Sequence, residues 1–111
     1  MVESHNQWLY DLPKNSTKSV AHALKQLCRQ IYPMDTNKEI IGYLYNIVRI
    51  NKRAIKGWLQ GQIFHPRGVL TIPHFQTLVT HFVQSPNGLT TWNQVRAFAE
   101  LFGEPYIAEI S

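Results

Sequence analysis

Along the run Arg49-Ile50-Asn51-Lys52-Arg53-Ala54-Ile55-Lys56-Gly57-Trp58-Leu59-Gln60, four cationic side chains and two amides are interleaved with apolar residues. At helical periodicity Ala54, Ile55, Trp58 and Leu59 fall on one face, and Lys52, Arg53, Lys56 and Gln60 on the other. Ammonium and guanidinium groups held on one side, with no carboxylate among them, suit anionic oxygens. The lack of acid reaches far beyond this run. From Ile40 to Ala99, sixty consecutive residues contain no Asp or Glu, yet they contain Arg49, Lys52, Arg53, Lys56, Arg67 and Arg96. All seven acidic residues lie outside, at Glu3, Asp11, Asp35, Glu39, Glu100, Glu104 and Glu109. Such a surface neither repels a polyanion nor neutralises its own charge, which points to a phosphate backbone.

A chain of 111 residues has room for one domain and one core. Its 44% hydrophobic and 16% charged content is that of a globular protein. The net charge of +4 is common among small proteins, so its clustering carries more weight than its size. Cys28, the single cysteine, excludes an internal disulfide and a cysteine-based zinc site, and its place on an apolar stripe suits a buried small residue. The N-terminus lacks the basic and apolar pattern of a secretory signal. No apolar run approaches the ~20 residues of a membrane span, and a cytoplasmic location is expected.

The elements that must position the cations read as helices. Residues 1–15 form an irregular N-terminal arm with an apolar knot, Trp8, Leu9, Tyr10 and Leu12. Residues 16–111 form a single helical domain. Val20, Leu24, Leu27, Cys28 and Ile31 give a 3.6-period stripe that predicts a helix from about Thr17 to Ile31, with Pro33 ending it. On an adjacent face Lys18, His22, Lys25 and Arg29 repeat at the same spacing, either as a solvated row or as a second phosphate-contacting surface. Thr36-x-x-Glu39 is a capping box for the next helix, which carries Ile40, Ile41, Leu44, Ile47 and Val48. Asn51 then serves as N-cap of the cationic helix, and Gly61 follows its end. Residues 62–72 read as a short hairpin or a loop around Pro66-Arg67-Gly68. Pro73 suits the first turn of a helix bearing Phe75, Leu78, Val79, Phe82 and Val83. After the breaker Ser85-Pro86-Asn87-Gly88, Thr91-x-x-Gln94 opens a last helix that buries Trp92, Val95, Phe98, Ala99 and Phe102 and stops at Gly103. The fold class is therefore all-α, a compact bundle of about five helices.

With Ile50, Asn51, Ile55, Trp58 and Gly61 in register, the segment resembles the recognition helix of Xre/Cro-type helix-turn-helix domains. The resemblance is strict over about twelve residues and looser over 17–83. A looser likeness, through Gly88-Leu89-Thr90-Thr91-Trp92 and Leu101 to Tyr106, is to the tail behind such domains at the N-terminus of multidomain signalling ATPases. The resemblance implies a DNA-binding domain, a transcriptional regulator or DNA-targeting module, that contacts the duplex through residues 51–60. It departs from the family pattern where the second helix meets the third. An ungapped register puts Tyr45 at the small crossing position and Arg49 at the turn glycine. Three inserted residues would put Gly42 and Asn46 there instead. One inserted helical turn would keep Ile40, Ile41 and Leu44 as the buried set.

The candidate DNA contacts are Asn51, Lys52, Arg53, Lys56, Gln60, Arg67 and Arg49. If four to six of them neutralise phosphates, affinity falls with salt at a log–log slope of about −4 to −5. Asn51 and Gln60 carry amides that suit adenine edges. Catalysis fits poorly, and no enzyme, cofactor or metal is expected. His5, His22, His65, His74 and His81 are dispersed, and no central carboxylate orients a histidine or serves as a base. The rival class is a helical adaptor or sensor module of a larger signalling or defence protein, without DNA. Homodimerisation or a protein partner would use the Trp8–Leu12 arm or the C-terminal helix.

Overall fold

Side-chain oxygens set where most of the helices begin. Ser16, Thr36, Asn51, Thr71 and Thr91 each accept a hydrogen bond from a backbone N–H in the first turn that follows. In the computed structural model, which describes residues 6–63 and 69–110, the helices are α1 (Gln7–Asp11), α2 (Thr17–Ile31), α3 (Asn37–Val48), α4 (Lys52–Leu59), α5 (Ile72–Gln84), α6 (Trp92–Phe102) and α7 (Glu104–Ile110). No strand occurs among the described residues, and the fold is an all-α bundle. No helix there is long and apolar enough to cross a membrane. At the start of α3 the expected box is complete: Thr36 Oγ1 accepts from Glu39 N, and Glu39 Oε1 accepts from Thr36 N. At α6 it is shifted. Thr91 caps Gln94 N, but Gln94 Oε1 accepts from Thr90 N at 2.8 Å, one residue early.

The core is continuous from α2 to α7. Val20, Leu24, Leu27 and Cys28 of α2 are fully buried, as the stripe predicts, and burial pushes the Cys28 thiol up to about 12. Phe75, Phe82, Phe98 and Phe102 form an aromatic cluster, with Phe75 and Phe102 centroids 4.8 Å apart. Tyr106 joins it edge-on, and its hydroxyl donates to Leu70 O at 2.7 Å. Two carbonyls of the last turn of α6 that the helix cannot satisfy internally are reached from the linker before α2: Asn15 N donates to Glu100 O and Ser16 N to Leu101 O, both 2.9 Å.

Three expectations change. The arm is not irregular: residues 7–11 form α1, with Leu9 buried and Trp8 and Leu12 partly buried against the core. Asn6, itself buried, ties it down by donating to Gly88 O at 2.8 Å and Gln94 Oε1 at 2.9 Å. Trp92 is not buried but 55% exposed. As the first residue of α6 it stands at the rim of an open groove with Val79, Val83 and Leu89 instead of inside the core. The chain also continues beyond Gly103: a backbone φ of 119° there redirects it into α7, with Pro105 in the first turn, where a missing N–H costs nothing. Residues 64–68, with the hairpin or loop and Arg67, lie outside the described residues.

Candidate nucleic-acid interface

Rotation of α4 about its own axis is fixed by its buried side. Ile55 and Trp58 are fully buried, and Ala54 and Leu59 nearly so. At about 100° of rotation per residue, Lys52, Lys56, Gln60 and Arg53 then span an arc of about 100° opposite them. All four are exposed. The three cations of the helix therefore leave the domain on one side. Asn51 sits at the N-cap, where its Oδ1 accepts from Arg53 N at 2.7 Å. That bond uses one of the two lone pairs of the amide oxygen and ties the side chain to its own helix start. Beyond Gln60 the chain turns at Gly61, which has φ +80°.

Only Arg49, Ile50 and Asn51 separate α3 from α4. Arg49 makes the turn, with φ 58° and ψ 40°, a left-handed conformation that a side chain with Cβ resists. Asn46 lies inside α3, and a Cβ at Gly42 would meet nothing within 4 Å, so no close helix crossing occurs there. The turn is thus three residues long and holds no glycine. Tyr45 receives both neighbouring cations: Arg49 Cζ lies 5.9 Å and Lys52 Nζ 5.1 Å from its ring centroid. Sequence reasoning missed this ring, although its spacing of four and seven residues before Arg49 and Lys52 puts all three on one side. Replacing Arg49 with Gly relieves the left-handed backbone and is expected to raise stability by about 1 kcal/mol in urea denaturation. The same change removes a cation from the turn, so stability and any phosphate affinity should move in opposite directions.

Among the described residues, both ion pairs go to Glu100, from Lys14 Nζ at 2.9 Å and Arg96 Nε at 3.5 Å. Arg96 thus shares one carboxylate with Lys14, whereas Arg49, Lys52, Arg53 and Lys56 have no carboxylate of the described residues within 4 Å. The acid-free window keeps its charge where α4 and its entry turn lie.

Across the α3–α5 groove, Tyr43 Oη and His81 Nε2 are 2.7 Å apart. With that nitrogen unprotonated the hydroxyl donates to it, and partial burial pushes the His81 pKa down from its ordinary value. The unfolded chain then binds the proton more readily than the folded one. Stability should hold above about pH 6.5 and erode as pH falls through that range. The effect should stay under about 1 kcal/mol because the ring is only partly buried. Thermal unfolding of the wild type and His81→Gln at pH 7.5 and 5.5 checks this, the variant being less sensitive to pH.

In comparison with protein-family models, with curated proteins and with solved structures, no match to the chain is found.

Proposed function

We propose that the domain binds double-stranded DNA, with α3 and α4 acting as a helix-turn-helix of Xre/Cro type and α4 presented to the major groove. One observation carries this: Lys52, Arg53 and Lys56 share a single exposed arc, fixed by Trp58 and Ile55, with no carboxylate of the described residues within 4 Å. The three-residue turn and the cations gathered over Tyr45 add support. Arg49 lies at the entry of α4, and Arg67 follows α4 in the sequence. Contacts of this kind position a protein on the phosphate backbone and carry little sequence information. Base reading falls to the amides of Gln60 and Asn51. A role in transcription or in targeting a larger protein to DNA follows from that grip.

Fluorescence anisotropy with a labelled duplex of ~20 base pairs at ~50 mM salt tests the proposal. The wild type should be retained, and the K52E/R53E/K56E variant should bind at least about 100-fold more weakly with its helical content intact. A wild type that fails to bind at that salt overturns it.

A second function is favoured by a different surface. Val79, Val83, Leu89, Trp92, Val95 and Ile110 line an apolar groove of 700 Å³, and Trp92 and Val83 stand 55% and 49% exposed. An adaptor or sensor module, or a homodimer, would use that groove. The Trp8–Leu12 segment is less suited, since it already packs on its own domain.

A further inference from the structure

The row Lys18, His22, Lys25 and Arg29 has not been used by the contacts above. On α2 these residues fall within an arc of about 60°, directly opposite Val20, Leu24 and Leu27. The row is about 16 Å long at 1.5 Å per residue. Lys18, His22 and Arg29 are exposed and Lys25 is partly so. None of the four lies within 4 Å of a carboxylate among the described residues, because both ion pairs there belong to Lys14 and Arg96. α1 borders the row without covering it. The Trp8 ring meets His22 edge-on at 5.8 Å, and its indole N–H donates to Gln30.

The row also begins where the α4 arc ends. At Gly61, just after Gln60, the place of a Cβ lies 3.6 Å from Thr17 O and 3.6 Å from Thr17 Oγ1. Thr17 directly precedes Lys18. The chain leaving α4 thus touches α2 one residue before the row begins.

The geometry points to α2 as a second phosphate-backbone surface, which carries the DNA contact of α4 around the side of the domain; this rests on the α4 reading. The alternative polyanion, a membrane surface, fits less well. Helices that lie in a lipid interface bury apolar side chains beside their cations, and the exposed large hydrophobics among the described residues are Tyr10, Tyr32, Val69, Val83 and Trp92, none of them on α2.

The test compares salt slopes on a labelled 24-base-pair duplex for the wild type, K18A/K25A/R29A, and the control K14A/R96A, whose cations are already paired with Glu100. The α2 variant should flatten the log–log slope by about 2.7, at 0.9 per lost contact, while the control changes little. The same flattening should recur when the α2 changes are added to K52A/R53A/K56A. Wild-type binding with an α2 slope equal to that of the wild type overturns the inference and leaves α4 untouched. An α2 effect no larger than that of the control also overturns it, as a mere net-charge effect. No wild-type binding at ~50 mM salt instead sinks the α4 reading, and this inference with it. Retention on phosphatidylserine vesicles that α2 changes abolish, with no row dependence on DNA, reassigns the row to lipid and overturns it as well.

Discussion

Replacing Trp58 with Ala should lower stability by about 4 kcal/mol, the largest loss expected from any truncation in the core. The indole is fully buried and its centroid lies 5.8 Å from that of His74 on α5. It also anchors α4, a helix of eight residues that is too short to persist without packing. With a domain stability of order 5–15 kcal/mol, a loss of this size removes much of the margin and lowers the melting temperature by about 15 °C. Urea denaturation gives the free energy, and Trp58→Phe should recover more than half of it. Because Trp58 fixes the rotation of α4, the residual folded protein should also hold its cations less uniformly.

Gly88→Ala should cost about 3 kcal/mol, for a reason that has nothing to do with glycine's freedom in φ. A Cβ there would press into the Phe82 carbonyl oxygen, 3.0 Å from Phe82 C and 3.2 Å from Ser85 O. Both are backbone atoms at the end of α5, held by Leu89 N donating to Phe82 O and Gly88 N donating to Ser85 O. No flexible side chain can give way. Any shift would also disturb the carbonyl of Gly88, which accepts from Asn6 Nδ2. Gly42→Ala is the counterpart: in mid-α3, with nothing within 4 Å of the new methyl, it should stabilise by about 0.5–1 kcal/mol. Urea midpoints of the two variants should therefore move in opposite directions. Equal shifts would contradict the backbone account.

These sites also show why some of the fold was legible in the sequence and some was not. Helices α2 to α4 announce themselves locally, by a 3.6-period stripe and by Thr36, Glu39 and Asn51 at their starts, and the structure begins each within a residue of those caps. The α1 segment has five residues and no side-chain cap; it is held because Asn6 finds partners more than eighty residues away on α6 and its loop, and Leu9 is buried in the core. No local pattern encodes that. Gly103-Glu104-Pro105 carries the signals of a helix stop and of a helix start at once, and only Tyr106 docking on the Phe75 cluster selects the second. Trp92 has the right period to be buried but stands at the helix's first position, beyond the core. At the interface, the common side of Lys52, Arg53 and Lys56 follows from spacing alone. The left-handed Arg49 does not, since residue type argues against it and the geometry is imposed by the two helices it joins.

The central claim is that three cations of α4 act together on a phosphate backbone, and the salt dependence of duplex binding tests it most directly. Measured from ~50 to ~200 mM salt, the log–log slope of K52A/R53A/K56A should be shallower than that of the wild type by about 2.7, with unfolding midpoints alike. Parallel slopes for the two proteins, or no retention of the wild type at the lowest salt, would contradict it.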